Sequence, residues 1–208
     1  MINISNMYFY YILFSFIIQV EEKNMIIGIC GKSGSGKSTL AREISYMHDN
    51  VIHIDIDLIG HKVLELDEVK QELINSFGEE VINNGNVDRK VLSDLVFNSR
   101  NKMNKLSDIT WQHMQTILDE LINKNKDRII LLDWILLPKT KYFKICDFRI
   151  LIDVPFEIRK QRITLRDNIS QDKIDLRESA SIEYDYNDFD FVINDISDEF
   201  KRKLVKII

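Results

Sequence analysis

Short apolar runs alternate along the chain with stretches in which apolar residues recur every three or four positions. The first pattern is typical of buried strands and the second of amphipathic helices. Strands are predicted at residues 25–30, 51–55, 129–133, 148–154 and 189–193. The run at 129–133 is apolar up to its final aspartate, as expected for a parallel strand covered on both faces. Strands that alternate with helices predict a three-layer α/β fold with a five-stranded parallel sheet.

Helices are predicted between these strands and after the last one. The helical patterns cover residues 67–77, about 100–123 and 157–167, and further helices are expected to begin at Asp88 and beyond residue 193. Gly78 follows the first of these patterns and is a plausible C-terminal cap, because glycine readily adopts the conformation that ends a helix. The segment 167–184 is highly polar, and we expect it to be mobile.

Length and composition fit one domain of this class. The chain has 208 residues, of which 45% are hydrophobic, with only seven glycines and two prolines; these values predict a folded chain rather than a disordered one. The net charge of −5 argues against a dedicated nucleic-acid binder. Cys30 and Cys146 are too few for a disulfide framework or a thiolate metal site, which fits a reducing cytoplasm.

Residues 31–39, with the sequence GKSGSGKST, carry the clearest chemical signal. They match the phosphate-binding pattern G-x-x-x-x-G-K-[ST] and lie between the first predicted strand and a helical pattern that contains Leu40 and Ile44. In such a P-loop, backbone N–H groups face the phosphates, the lysine reaches the β and γ oxygens, and the serine hydroxyl ligates Mg²⁺. ATP and Mg²⁺ are therefore the predicted ligands. The predicted nucleotide-binding residues are Gly31, Gly34, Ser35, Gly36, Lys37, Ser38 and Thr39, with Ser38 as metal ligand and Lys37 also catalytic.

The first 24 residues do not belong to this pattern. Residues 7–20 form an apolar and aromatic run that is shorter than the roughly 20 residues a membrane span needs, and no basic segment precedes it. Two interpretations remain open. The run is an N-terminal anchor or hydrophobic arm, or translation starts at Met25. We prefer the second, because a P-loop strand commonly opens a domain of this kind. We expect no membrane association unless residues 7–20 are expressed as an anchor.

Three carboxylates follow predicted strands, where the ligand crevice of a doubly wound sheet lies. Asp55 and Asp57 are two residues apart and lie on the same side if the second strand is still extended. Asp57 is the predicted base for an attacking hydroxyl, and Asp55 is expected to position it or to hold Mg²⁺ through water. Solvated loop carboxylates are the alternative for both. Asp133 is either a metal carboxylate or a polar cap on a buried strand.

Arg159, Arg162 and Arg166 share one face of the predicted helix at 157–167. They can close over ATP and stabilise the transferring charge, and a solvated helix face is the alternative. His53, inside the second strand, is expected to be a packed residue. His61 and His113 do not lie near any other potential metal ligand in a metal-binding spacing, so no metal cluster is predicted from them.

The stretch from Asp55 to Leu64, placed some twenty residues after the P-loop, resembles the dephospho-CoA kinase family. The resemblance extends over residues 25–208. Its other matching segments are Phe77-Gly78, Gly85-Asn86-Val87-Asp88-Arg89, residues 92–98, Val154-Pro155, Arg162, Arg166-Asp167 and Val192-Ile193-Asn194-Asp195. Departures are Trp111-Gln112, Ile135, Lys139 and Ser181, together with an inverted Asn-Asp order at the end. Most of them fall where the acceptor would bind.

The resemblance implies ATP-dependent phosphorylation of the ribose 3′-hydroxyl of dephospho-CoA on a P-loop kinase fold. It also implies a core at 25–58, 128–155 and 188–208, a helical acceptor-binding insertion at about 60–126 and a lid at about 156–187. Carried over by position, Asp57 matches the catalytic base, residues 31–39 the ATP loop, and Arg162 and Arg166 the lid arginines, while Asn194 falls beside the adenine-side asparagine. The predicted catalytic residues are thus Lys37, Asp57, Arg162 and Arg166. The predicted acceptor-side residues are Asp55, Asp57, His61, Arg89 and Asp133.

Three other functions are weighed against this one. A kinase of another nucleoside or nucleotide on the same fold and a nucleotide-binding regulator without catalysis both remain open. A transport or motor ATPase is disfavoured, because it needs a Leu-Ser-Gly-Gly-type signature and a glutamate after the strand-end aspartate, whereas Trp134 follows Asp133. The sequence predicts no nucleic-acid partner and gives no oligomeric state.

Overall fold

The computed structural model describes residues 24–97, 99–167 and 169–194. The apolar run at 7–20 and the helix predicted beyond residue 193 lie outside these ranges. The seven strands of the described residues are β1 (Met25–Cys30), β2 (Val51–Asp55), β3 (Ile82–Asn83), β4 (Asn86–Val87), β5 (Ile129–Asp133), β6 (Phe148–Ile152) and β7 (Phe191–Ile193). Within the same ranges lie eight α-helices, namely α1 (Lys37–Met47), α2 (Ile56–Val63), α3 (Asp67–Phe77), α4 (Arg89–Phe97), α5 (Arg100–Lys124), α6 (Lys141–Lys144), α7 (Phe156–Asp167) and α8 (Gln171–Ser179).

The predicted five-stranded sheet is confirmed, with the strand order β2-β5-β1-β6-β7. Strand β1 is central and pairs in parallel with both β5 and β6, and β6 pairs in parallel with β7. All five residues of β5 are buried, as its continuous apolar run predicts. The first three predicted strands have the observed bounds. Strand β6 ends at Ile152, two residues earlier than predicted, and β7 begins at Phe191, two residues later, because the parallel pairing of the two strands ends and begins there.

The chain divides into two compact units, one from Asp55 to Lys124 and one containing the sheet. In the sheet unit, apolar residues of β1, β5, β6 and β7 pack against α1 through Leu40, Ala41 and Ile44. This packing fixes the first turn of α1 at the end of β1, with the P-loop between them. None of the helices in the described part of the chain is long and apolar enough to cross a membrane.

The unit from Asp55 to Lys124 is helical apart from the β3–β4 hairpin. Helix α5 contacts α2, α3 and α4 and buries Ile109, Met114 and Leu118. Helix α3 ends at Phe77 and is capped by Gly78, as predicted; Gly78 has a φ of 97° and its N–H donates a hydrogen bond to the Ile74 carbonyl.

Candidate active site

The P-loop is held in a tight turn between β1 and α1. A side chain on Gly31 would place its Cβ 2.6 Å from the Ile152 carbonyl oxygen, so only glycine lets the loop pass β6 this closely. The Ser35 N–H donates to the Lys32 carbonyl at 3.1 Å, and Gly36 enters α1 with a left-handed φ of 95°. Because the first N–H groups of a helix have no partner within it, this end of α1 offers donors to an anion.

Two polar side chains of this loop are buried with unused hydrogen-bonding capacity. Lys37 is 9% exposed, and its ammonium has no carboxylate partner among residues 24–97, 99–167 and 169–194. The Ser35 hydroxyl is fully buried and has no hydrogen-bond partner in the described part of the chain. A buried cation without a counter-ion is unfavourable unless an anion joins it. The loop is thus suited to receiving phosphate oxygens. Ser38 and Thr39 follow in the first turn of α1 and are half-buried.

Asp133, at the end of β5, is only 1% exposed. Its Oδ2 lies 3.1 Å from Nε2 of His53, the packed strand residue that the sequence predicts. The other oxygen, Oδ1, is buried and has no hydrogen-bond partner among the described residues. Buried carboxylate oxygens are normally satisfied, so Oδ1 is a free oxygen ligand for water or for a hard cation.

The three arginines of α7 have three different environments. The prediction that Arg159 shares a solvated or nucleotide-facing surface is wrong. Its side chain is 5% exposed and forms a two-point pair with Glu178 of α8. Arg162 is half-buried, and its Nη1 lies 3.3 Å from the carbonyl oxygens of both Gly34 and Ser35. Arg166 is 61% exposed and pairs with Asp167, a contact that raises the pKa of Arg166 and lowers that of Asp167.

Helix α7 lies directly against the P-loop. A Cβ on Gly34, whose φ is +77°, would be 2.8 Å from the Arg159 carbonyl oxygen and 3.0 Å from Ile163 Cγ1. The polar segment after α7, expected to be mobile, contains helix α8, with Ile174 buried on its inner face. The sequence gives little sign of α8, because this helix buries one residue only.

Asp55 and Asp57 do not lie on an extended strand, so the prediction that they face the same side for that reason is wrong. Strand β2 ends at Asp55, and helix α2 begins at the next residue. The Asp55 carboxylate accepts a hydrogen bond from the Leu58 N–H at 3.1 Å, which makes it the N-cap of α2. Aspartate stabilises a helix start in this position because it satisfies a donor that the helix leaves free. Asp57 is exposed in the first turn of α2.

The Gly85-Asn86-Val87-Asp88-Arg89 segment has a structural role that the sequence only partly indicates. Gly85 turns the β3–β4 hairpin with a φ of 79°. Asp88 caps α4 by accepting from the N–H groups of Lys90 and Val91, each at 3.1 Å. Arg89 is exposed and lies 3.6 Å from Glu65. His61 is exposed on α2. Arg89 and His61 therefore both lie on the surface of this unit.

A cavity of about 360 Å³ lies beside the P-loop in the sheet unit. Its lining includes Lys32, Phe156, Tyr184, Tyr186 and Asn194. The Tyr186 hydroxyl donates to the carboxylate of Asp153, and this hydrogen bond raises the pKa of Tyr186. Aromatic rings with polar groups at their edge suit a planar base. Of the lining residues, Asn194 is predicted from the sequence to lie on the adenine side, whereas the tyrosines carry no motif that would reveal them.

Comparison with known proteins assigns this P-loop to a family. The dephospho-CoA kinase family model, CoaE, matches residues 25–195. The chain belongs to the dephospho-CoA kinase family. The resemblance drawn from the motifs is therefore confirmed, and so is a kinase of the P-loop class. The dephospho-CoA kinase of Fusobacterium nucleatum is 32% identical over 184 residues, which are 86% of this chain and 94% of that protein.

Solved structures share the fold of this family member. The crystal structure of TT1252 from Thermus thermophilus has a TM-score of 0.72 at 23% identity and covers 88% of this chain and 98% of that one. The dephospho-CoA kinase from Campylobacter jejuni has a TM-score of 0.55, also at 23% identity, and covers 88% of this chain and 94% of that one.

Proposed function

We propose that the protein transfers the γ-phosphoryl group of ATP to the ribose 3′-hydroxyl of dephospho-CoA, giving CoA and ADP. The observation that carries this proposal is a P-loop whose buried lysine, Lys37, has no carboxylate partner among the described residues, in a chain of the dephospho-CoA kinase family. The choice of acceptor rests on membership of the family, and the location of the phosphate site rests on the geometry of the P-loop. Phosphoryl transfer needs mainly positioning and charge stabilisation, which a buried ammonium among N–H donors supplies.

On the donor side, the adenine base is assigned to the cavity that contains Phe156, Tyr184 and Tyr186. Asn194 at its wall offers an amide to the edge of the base. The triphosphate then extends along residues 31–39, and Lys37 binds its β and γ oxygens. Arg162 and Arg166 are assigned to the transferring charge. Arg162 already contacts the loop, and Arg166 pairs with its neighbour Asp167.

Mg²⁺ fits the chemistry of the residues at this loop. The hydroxyl of Ser38 would hold the ion, and the buried Oδ1 of Asp133, which has no hydrogen-bond partner among the described residues, would bind one of its waters. When bound, the ion neutralises charge on the β- and γ-phosphates. The hydrogen bond to His53 orients the Asp133 carboxylate.

On the acceptor side, Asp57 is proposed to accept the proton of the 3′-hydroxyl as it attacks. Asp55 is fixed as a helix cap and therefore holds the start of α2, on which Asp57 lies. His61 and Arg89 are proposed to bind the acceptor, in a helical insertion at about 60–126. The segment 156–187 is proposed as the lid.

We propose a cytoplasmic location, since both cysteines are free and buried.

The proposal is tested by measuring ADP release with dephospho-CoA, adenosine and common nucleosides as acceptors. The wild type, Asp57→Asn and Lys37→Ala are compared at saturating ATP and Mg²⁺. We expect turnover with dephospho-CoA only, with a decrease of about 10²-fold or more in Asp57→Asn, as for loss of a general base. Turnover with another nucleoside alone would make this a kinase of different specificity. Turnover that Asp57→Asn leaves unchanged would remove only the assignment of the base.

A further inference from the structure

Glu178 of α8 connects the P-loop to the start of α7. Its Oε1 accepts hydrogen bonds from Lys32 at 3.2 Å and from Arg159 at 2.7 Å, and its Oε2 accepts a second one from Arg159 at 2.9 Å. The Glu178 side chain is 24% exposed. Its pKa is lowered, chiefly by the hydrogen bonds from Arg159 and further by Lys32. Lys32 is the second residue of the P-loop, so a carboxylate of α8 reaches the loop directly.

Arg159 uses its remaining donors on the backbone. Its Nε donates to the Val154 carbonyl at 2.8 Å and its Nη1 to the Ser33 carbonyl at 3.3 Å. A guanidinium that is engaged at both ends and almost fully buried is not available to swing onto a nucleotide. Arg159 therefore supports the P-loop on the side that faces α7. Glu178 fixes the orientation of Arg159 through two parallel hydrogen bonds.

Because the peptide bond is planar, the contact of Arg159 with the Ser33 carbonyl also sets the direction of an N–H group in the P-loop. In a trans peptide the C=O and the following N–H point in opposite directions. When the Ser33 carbonyl points at Arg159, the N–H of Gly34 faces away from α7. Arg162 has the same effect at the Ser35 carbonyl and thus on the N–H of Gly36. The N–H of Ser35 is already used in the turn to Lys32. The two arginines thus orient the N–H groups of Gly34 and Gly36.

We propose that Glu178 is a positioning residue for nucleotide binding, acting on the P-loop through Arg159 and Lys32. This inference rests on the proposed function only in taking the loop as the ATP site. As an anion, Glu178 is not suited to bind phosphate itself, so it acts through its two basic partners. Its loss frees Arg159 to rotate and leaves the Ser33–Gly34 peptide less constrained, so the loop must be ordered when ATP binds.

The test uses the full chain with Glu178→Gln, Glu178→Asp and the matched control Asp172→Asn. Asp172 is an exposed carboxylate of the same helix. Binding of MgATP is titrated calorimetrically without acceptor, and steady-state ADP release with dephospho-CoA is measured separately. We expect Glu178→Gln to weaken MgATP binding and to raise KM for ATP about tenfold, the usual effect of losing a hydrogen bond to a charged group. The KM for dephospho-CoA should not change.

We expect MgATP affinity in Glu178→Asp to lie between those of Glu178→Gln and the wild type, and we expect Asp172→Asn to bind MgATP like the wild type. MgATP affinity of Glu178→Gln within about twofold of the wild type would overturn the proposal, and so would an equal loss in Asp172→Asn. If Glu178→Gln does not fold, Glu178→Asp decides in its place by the same two measurements, with MgATP affinity within about twofold of the wild type as the refuting result. Failure of dephospho-CoA turnover in the wild type as well as in every variant would count against the proposed function alone, because the calorimetric titration needs no acceptor.

Discussion

Because α7 lies close to the P-loop, we predict that Gly34→Ala lowers the free energy of unfolding by more than the backbone conformation of Gly34 alone would cause. Alanine at a φ of +77° is destabilising by about 1–2 kcal/mol, because Cβ crowds the carbonyl oxygen in the left-handed region. In addition, the new Cβ would lie 2.8 Å from the Arg159 carbonyl oxygen and 3.2 Å from its Cα. These are backbone atoms of a helix and cannot rotate away. Overpacking of this kind costs about 1–3 kcal/mol.

Gly85→Ala is the matched control for the conformational part. Gly85 has nearly the same φ, +79°, but nothing lies within 4 Å of a Cβ built there. The smaller conformational freedom of alanine in the unfolded chain is common to both variants and cancels in the comparison. We therefore expect Gly34→Ala to lower the free energy of unfolding by about 2–5 kcal/mol and Gly85→Ala by about 1–2 kcal/mol.

Urea unfolding of both variants without nucleotide measures this difference, and the shift of the melting temperature on adding MgATP gives a second readout. We expect the MgATP shift to be lost in Gly34→Ala and retained in Gly85→Ala. Equal destabilisation of the two variants, within about 0.5 kcal/mol, would refute the view that α7 is packed tightly on the loop.

The remaining predictions concern the buried charges and the thiols. Arg159→Met should lower the free energy of unfolding by about 3–5 kcal/mol in urea, because it removes one partner of a largely buried ion pair. Since the folded-state pKa of Glu178 lies below its ordinary value of 4.5, the wild type should be more stable than Glu178→Gln at neutral pH. This advantage should shrink as the pH falls below 4.5 and through the lowered folded-state pKa, which unfolding curves at a series of pH values would show. Asp133→Asn should raise the Mg²⁺ concentration that half-saturates ADP release, whereas an unchanged requirement would exclude Asp133 from the metal site. Burial raises the pKa of both thiols, that of Cys146 to about 12, and so Cys30 and Cys146 should resist iodoacetamide at pH 8 until the chain is unfolded, as mass spectrometry would detect.

The sheet and the P-loop could be predicted from the sequence because their signals are local. A strand covered on both faces is apolar throughout, as in β5, and the loop carries its glycines and lysine within nine residues. The start of α2 was harder to predict, because Asp55 ends a strand and caps a helix at once. The alternation of side chains along β2 was therefore applied to Asp57, which lies on the helix and not on the strand.

The environment of Arg159 could not be predicted from its own helix. The spacing of the three arginines places them on one face of α7, but burial of Arg159 depends on Glu178, nineteen residues further along the chain. That partner lies on α8, which buries a single residue and has almost no amphipathic signal. The roles of Asp57, His61 and Arg89 stay predictions that mutagenesis must decide.

The central claim is that dephospho-CoA is the acceptor and its 3′-hydroxyl the site of transfer. The most direct measurement is product analysis by liquid chromatography, mass spectrometry and ³¹P NMR after incubation of the purified protein with ATP, Mg²⁺ and dephospho-CoA. We predict that dephospho-CoA gains one phosphoryl group in step with ADP formation and that the product co-elutes with CoA and shows its 3′-phosphate resonance. ADP formation without a phosphorylated acceptor, or a phosphate at another position, would contradict the account.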